Sequence, residues 1–145
     1  MRSQRQDGAV HPCLSRRALL VAGGAGLGSI ALAGCGGGTD VPELTGVAAG
    51  DVVVALAEVP VGSAYEVSID GRRVLVGRPD EGTVVGYDAT CTHQGCNVRP
   101  AEDGLACPCH GSVFDLATGD AVEGPATEPL ARVGVAVRGT DVVLT

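Results

Sequence analysis

From residue 51 onward the chain alternates short Val-rich apolar runs with breaks containing Gly, Asp and Pro. The runs lie at residues 52–56, 65–69, 72–77, 83–87, 105–106, 113–115, 132–137 and 141–144. β-Branched residues bounded by such breakers are the pattern of strands on a pleated, half-buried surface. Ile69-Asp70-Gly71-Arg72 and Arg138-Gly139-Thr140-Asp141 carry the chemistry of tight hairpin turns. No stretch of helical periodicity interrupts the series. The pattern predicts one all-β domain over residues 51–145.

Upstream the pattern changes twice. Residues 36–50, GGGTDVPELTGVAAG, are rich in Gly and small residues and are expected to form a flexible linker. Such a linker has a typical end-to-end distance of about 20 Å and a limit of roughly 50 Å. Residues 18–34 are uncharged, moderately apolar and slightly short for a membrane span. They follow two arginines and end in small residues, the make-up of a signal peptide, with an uncleaved membrane anchor as the alternative. The expected organisation is a leader at 1–35, a linker at 36–50 and a head domain at 51–145.

Composition limits the core and the partners. With no Trp, one Phe and two Tyr, the interior has to be built from Val, Ala and Leu. Lysine is absent. Residues 1–34 hold four Arg against one Asp, net +3, whereas residues 35–145 hold six Arg against 16 acids, net −10. An acidic head excludes nucleic-acid binding. It suits a basic or polar partner.

The chemistry is concentrated in two boxes, CTHQGC at 91–96 and CPCHGS at 107–112. Each supplies one Cys and one His at close range, Cys91 with His93 and Cys107 with His110, plus a second cysteine, Cys96 or Cys109. Thiolate sulfur and neutral imidazole nitrogen bind soft and borderline metals. Residue type and spacing alone leave a tetrahedral Cys₂His₂ zinc site and an iron–sulfur site both open.

The boxes resemble those of the Rieske iron–sulfur family, C-x-H-x-G-C followed by C-x-C-H-G-S, at every defined position. The resemblance implies a small antiparallel β-sandwich with two cluster-binding loops at one tip. It implies a [2Fe–2S] cluster with Cys91 and Cys107 on one iron, His93 and His110 on the other, and a Cys96–Cys109 disulfide joining the loops. Two neutral imidazoles in place of two thiolates leave the cluster less negative, so it accepts an electron at higher potential. Gln94, Ser112, Phe114 and Pro125 would surround the cluster. Ser112 would donate to a bridging sulfide. Phe114 stands where high-potential members carry Tyr, so one donor to a ligand sulfur is missing and a mid-range potential is expected.

The leader carries resemblances of its own. Ser15-Arg16-Arg17-Ala18-Leu19-Leu20 resembles a twin-arginine export motif, and Leu32-Ala33-Gly34-Cys35 resembles a lipobox, which implies lipidation of Cys35. The expected function is one-electron transfer at the outer face of the plasma membrane, by an electron-transfer protein rather than an enzyme on its own. The expected partner is a redox protein. The alternative is an iron–sulfur subunit of a quinol-oxidising cytochrome bc-type complex, or a small subunit of another exported oxidoreductase. A Rieske oxygenase needs a second, mononuclear iron site; the only further histidine is His11, in the leader.

Overall fold

The computed structural model describes residues 40–102 and 104–145. Among these, twelve strands form three sheets, and the one helical turn is a 3₁₀ turn at Leu56–Glu58. The strands are β1 (Glu43–Leu44), β2 (Val52–Ala55), β3 (Ser63–Ile69), β4 (Arg72–Asp80), β5 (Thr83–Asp88), β6 (Arg99–Ala101), β7 (Gly104–Ala106), β8 (Val113–Phe114), β9 (Ala121–Glu123), β10 (Arg132–Val133), β11 (Val135–Arg138) and β12 (Asp141–Leu144). The central sheet has the order β1-β3-β4-β5-β10, a second sheet the order β11-β12-β2, and a third the order β6-β7-β8-β9. The all-β expectation holds.

Strand β4 explains the layering. Its Val74, Leu75 and Val76 are all buried, so both faces of the strand are covered and it lacks the apolar–polar alternation of a half-exposed strand. Val74 and Val76 face a Val-dominated core with Val67, Ile69, Val54 and Val142, under the β11-β12-β2 sheet. Leu75 faces the opposite way, into a core with Tyr87, Leu105, Phe114, Cys91 and Cys107. Tyr87 and Phe114 are fully buried there. A chain with few aromatics thus places its two buried ones beneath the boxes, where each covers the most area.

Two local features depart from the sequence expectation. Residues 132–137, expected as one strand, are two, because the chain changes sheet at Gly134: β10 pairs with β5 and β11 with β12. The switch brings the backbone against Thr145, whose N–H donates to the Gly134 carbonyl at 3.0 Å. A Cβ on Gly134 would sit 2.8 Å from the Thr145 carbonyl oxygen, which only glycine avoids. The predicted turn at Asp70-Gly71 is present, with φ of 48° and 79°, as a type I′ hairpin turn requires.

The second departure concerns the linker. Of residues 36–50, those from 40 onward are described, and they are tied to the head. β1 pairs in parallel with β3, Ser68 N–H donates to the Pro42 carbonyl at 2.8 Å, and Asp70 N–H donates to the Leu44 carbonyl at 2.9 Å. Asp70 Oδ1 accepts from Gly46 N–H at 2.7 Å, Glu43 Oε1 accepts from Gly71 N–H at 3.0 Å, and Gly50 N–H donates to the Leu144 carbonyl at 2.7 Å. Leu44 and Val47 pack on the Val-rich core. Two of the glycines read as flexibility serve as turn positions instead, Gly46 at φ 66° and Gly50 at φ 97°. The leader lies outside the described residues, within which no helix is long and apolar enough to cross a membrane.

Leu44→Ala tests this docking. Chemical denaturation should show a loss of about 1–2 kcal/mol for a half-buried Leu. An unchanged midpoint would mean that residues 40–50 are a free tether.

Candidate metal centre

The boxes occupy two hairpin loops of the same backbone design. In the first, Cys91 N–H donates to the Cys96 carbonyl at 2.8 Å and Gly95 N–H donates to the Cys91 carbonyl at 2.8 Å. In the second, Cys107 N–H donates to the Ser112 carbonyl at 2.8 Å and Gly111 N–H donates to the Cys107 carbonyl at 3.0 Å. Gly95 and Gly111 have φ of 75° and 78°, so the fifth position of each box needs the left-handed conformation that glycine adopts at least cost.

A third turn repeats the design without cysteine. In residues 115–120, DLATGD, Asp115 N–H donates to the Asp120 carbonyl at 2.8 Å, Gly119 N–H donates to the Asp115 carbonyl at 2.9 Å, and Gly119 has φ 78°. Here the first-position side chain is an acceptor: Asp115 Oδ1 takes the N–H groups of Ala117 at 2.9 Å and Thr118 at 2.7 Å. The Thr118 N–H in particular holds the Asp115 carboxyl below its ordinary range. Cys91 and Cys107 occupy the equivalent position in their own loops. The turn motif is visible in the sequence as a glycine at the fifth position of all three segments, but only two of them carry candidate ligands.

Each loop has a fixed base. The first springs from a bridge between Thr90 and Asn97, and Thr90 N–H donates to Asp88 Oδ1 at 2.9 Å. Burial raises the Asp88 pKa, but the hydrogen bonds from Thr90 and Arg72 outweigh it and leave the carboxyl below its ordinary range. The second spans β7 and β8, which pair through Leu105 with Phe114 and Ala106 with Val113. A disulfide, Cys96–Cys109, joins the loops.

A strap over residues 124–130 is bonded to all three turns. Ala126 N–H donates to Ser112 Oγ at 3.0 Å, Thr92 Oγ1 donates to the Glu128 carbonyl at 2.7 Å, and Leu130 N–H donates to the Gly119 carbonyl at 2.9 Å. Gly124-Pro125-Ala126, which contains the expected Pro125, is thus tied to the second loop through Ala126. Pro125 itself is exposed, as is Gln94, whose Nε2 lies 3.5 Å from His93 Nε2. Thr92 carried no signal of its own, because it acts through a contact distant in sequence.

The four candidate ligands lie on the two disulfide-joined loops, and the two histidine rings meet. Cys91 and Cys107 are free thiols, each 2% exposed. The rings of His93 and His110 are 4.9 Å apart, edge to face. His93 Nδ1 is buried and has no hydrogen-bond partner among the described residues. A buried acceptor without a partner is costly; one that faces a metal is satisfied by it. The sulfurs of Cys96, Cys107 and Cys109 lie within 4.8 Å of one another, but two of these are joined in the disulfide and are not available as thiolates. Two free thiols, two imidazoles and an unpartnered nitrogen fit a group that takes both sulfur and nitrogen donors. Ser112 is fully buried; because its oxygen accepts from Ala126, its hydroxyl proton is free to be donated elsewhere. Tyr87, beneath the site, donates instead to the Leu116 carbonyl at 3.2 Å, with burial raising its pKa.

Comparison with known proteins agrees with this geometry. The model of the Rieske [2Fe-2S] domain matches residues 51–137. A Rieske 2Fe-2S iron–sulfur protein of Bacillus subtilis is 40% identical over 82 residues, 55% of this chain and 16% of that protein. The cytochrome b6-f complex iron–sulfur subunit 1 of a Nostoc species is 41% identical over 78 residues, 52% of this chain and 43% of that subunit. The chain therefore spans less than half the length of either curated relative. Among solved structures, the plasma membrane Rieske protein of the cyanobacterium Synechocystis superposes with a TM-score of 0.57 at 28% identity, covering 66% of this chain and 98% of that one.

The third turn gives a pH prediction. The folded state holds Asp115 below its ordinary value of 3.8, so its contribution is fully present above that value and is lost as pH falls through the depressed one. Denaturation midpoints measured from neutral to acid pH should decline less steeply in Asp115→Asn than in the parent; identical slopes would remove Asp115 from the account.

Proposed function

Because the chain belongs to the Rieske [2Fe–2S] domain family, we propose that it carries single electrons through a cluster held by Cys91 and Cys107 on one iron and by His93 and His110 on the other. When bound, such a cluster supplies one-electron redox chemistry at about −150 to +300 mV. The observation that carries this ligand set is the buried, unpartnered Nδ1 of His93 beside the His110 ring. Cys91 and Cys107 supply the thiolates, and the disulfide fixes the separation of the loops that bear them. Ser112 offers its hydroxyl proton to the cluster, while the strap closes over the site and keeps water from its inner side.

His93 and His110 are the more exposed ligands, and their outer edge is the route by which an electron leaves or arrives. The acidic head favours a cationic or polar redox partner. For location, the twin arginines at 16–17 and Cys35 support export in the folded state and lipid attachment at the outer membrane face. The plasma membrane relative supports the same compartment. The docked residues 40–50 extend the head ahead of residue 51.

A second reading has its own support. The 41% identity to a cytochrome b6-f iron–sulfur subunit favours a place in a quinol-oxidising complex. Solubilisation of native membranes with the cluster intact separates the two, since a complex subunit co-purifies with a b-type cytochrome and a free-standing carrier does not.

Two measurements test the site. Iron and acid-labile sulfide should be present in equal amounts, and His93→Ala should lose both; a colourless, zinc-loaded protein would refute the proposal. Phe114→Tyr should raise the reduction potential by about 40 mV, the equivalent of one hydrogen bond of about 1 kcal/mol to a ligand sulfur. No change, or a fall, would remove residue 114 from the tuning of the centre.

A further inference from the structure

Three sulfurs crowd the junction of the two boxes. The Sγ atoms of Cys96, Cys107 and Cys109 all lie within 4.8 Å of one another, although only Cys96 and Cys109 are bonded. Cys107 is free and buried, so its thiol has a disulfide as an immediate neighbour. Cys91, the other free cysteine of the boxes, does not belong to this group. A thiolate close to a disulfide attacks one of its sulfurs and displaces the other.

We infer that Cys107 is held off the disulfide only while it serves as a ligand, and that a chain without its cluster rearranges to a Cys96–Cys107 disulfide. The Cys107 thiolate attacks Cys96 Sγ. The Cys96–Cys109 bond breaks, the Cys96–Cys107 bond forms, and Cys109 leaves as a thiolate that takes up the proton Cys107 gave up. One S–S bond replaces another, so no oxidant or reductant is consumed. Attack on Cys96 keeps the boxes tied, whereas attack on Cys109 would close a small ring within one box and release the other, with loss of the longer loop closure. While that bond stands, one ligand is held in a disulfide and the site cannot reload; the reverse exchange, Cys109 attacking Cys96, returns the Cys107 thiol without a reductant. Cluster loss therefore lowers the share of chains able to reload by the share that has rearranged. This step rests on Cys107 being a cluster ligand.

The test strips the full-length protein with an iron chelator, without denaturant and under argon, then alkylates the free thiols and maps the label by peptide fragmentation. Protein quenched before stripping should carry label on Cys91 and Cys107. After stripping, label should move from Cys107 to Cys109 in at least about a tenth of the chains, with Cys91 still fully labelled. Cys91→Ser, which removes a ligand but not the attacking sulfur, should show the same migration, and Cys107→Ser should show none on Cys109. Label that stays on Cys91 and Cys107 in the stripped protein overturns the inference. Loss of label from Cys91 overturns it too, because it marks random reshuffling of an unfolded chain. A Cys107→Ser protein that binds iron and sulfide like the parent would instead overturn the ligand assignment, and the protective step with it.

Discussion

Everything at this site depends on holding two separate hairpin loops at one fixed distance. Cys91 and His93 belong to one loop and Cys107 and His110 to the other, so no set of bonds inside a single loop can place all four. Three kinds of tie do so. The Cys96–Cys109 disulfide joins the loops covalently. The strap bonds to Thr92 of the first and Ser112 of the second. Below, Leu105, Phe114 and Tyr87 pack against the two free cysteines and set the depth of both. Removing any one leaves a loop free to drift, and a cluster bound by residues on both tolerates little drift.

The same economy runs through the fold. The chain has few large side chains, and the fully buried aromatics lie on the site's side of the central sheet, while the opposite side is filled by Val. Strand β4 separates the two, with Leu75 towards the site and Val74 and Val76 away from it. The β11-β12-β2 sheet therefore acts as the support on which the central sheet rests, and the small β6-β7-β8-β9 sheet carries the chemistry. Asp115 and its turn extend this module: they use the backbone design of the metal loops, with a carboxylate in place of a thiol, to anchor the far end of the strap.

Much of this was legible in advance, for identifiable reasons. Strands were visible where Val runs meet Gly- or Asp-containing breaks, and the Asp70-Gly71 turn was visible because positive φ selects those residues. The two boxes were visible because Cys and His are rare here and their spacing is short. What was hidden depends on contacts distant in sequence. β1 is two residues long and is held by Asp70 N–H on the Leu44 carbonyl and Gly71 N–H on Glu43, contacts that a local pattern does not encode. β6 and β9 are three residues each and carry little strand signal; they exist because the loops between them need a frame. The break at Gly134 has no local mark beyond a glycine, since its cause is Thr145. The leader, with Cys35 and the twin arginines, lies outside the described residues and stands on its motifs alone.

The most direct test of the ligand set is pulsed EPR of the reduced protein, natural-abundance and with ¹⁵N-labelled histidine. The account predicts a reduced [2Fe–2S] signal with two strongly coupled imidazole nitrogens, which change together on labelling. A signal without histidine nitrogen coupling would mean a cluster held by sulfur alone, and would contradict the assignment of His93 and His110.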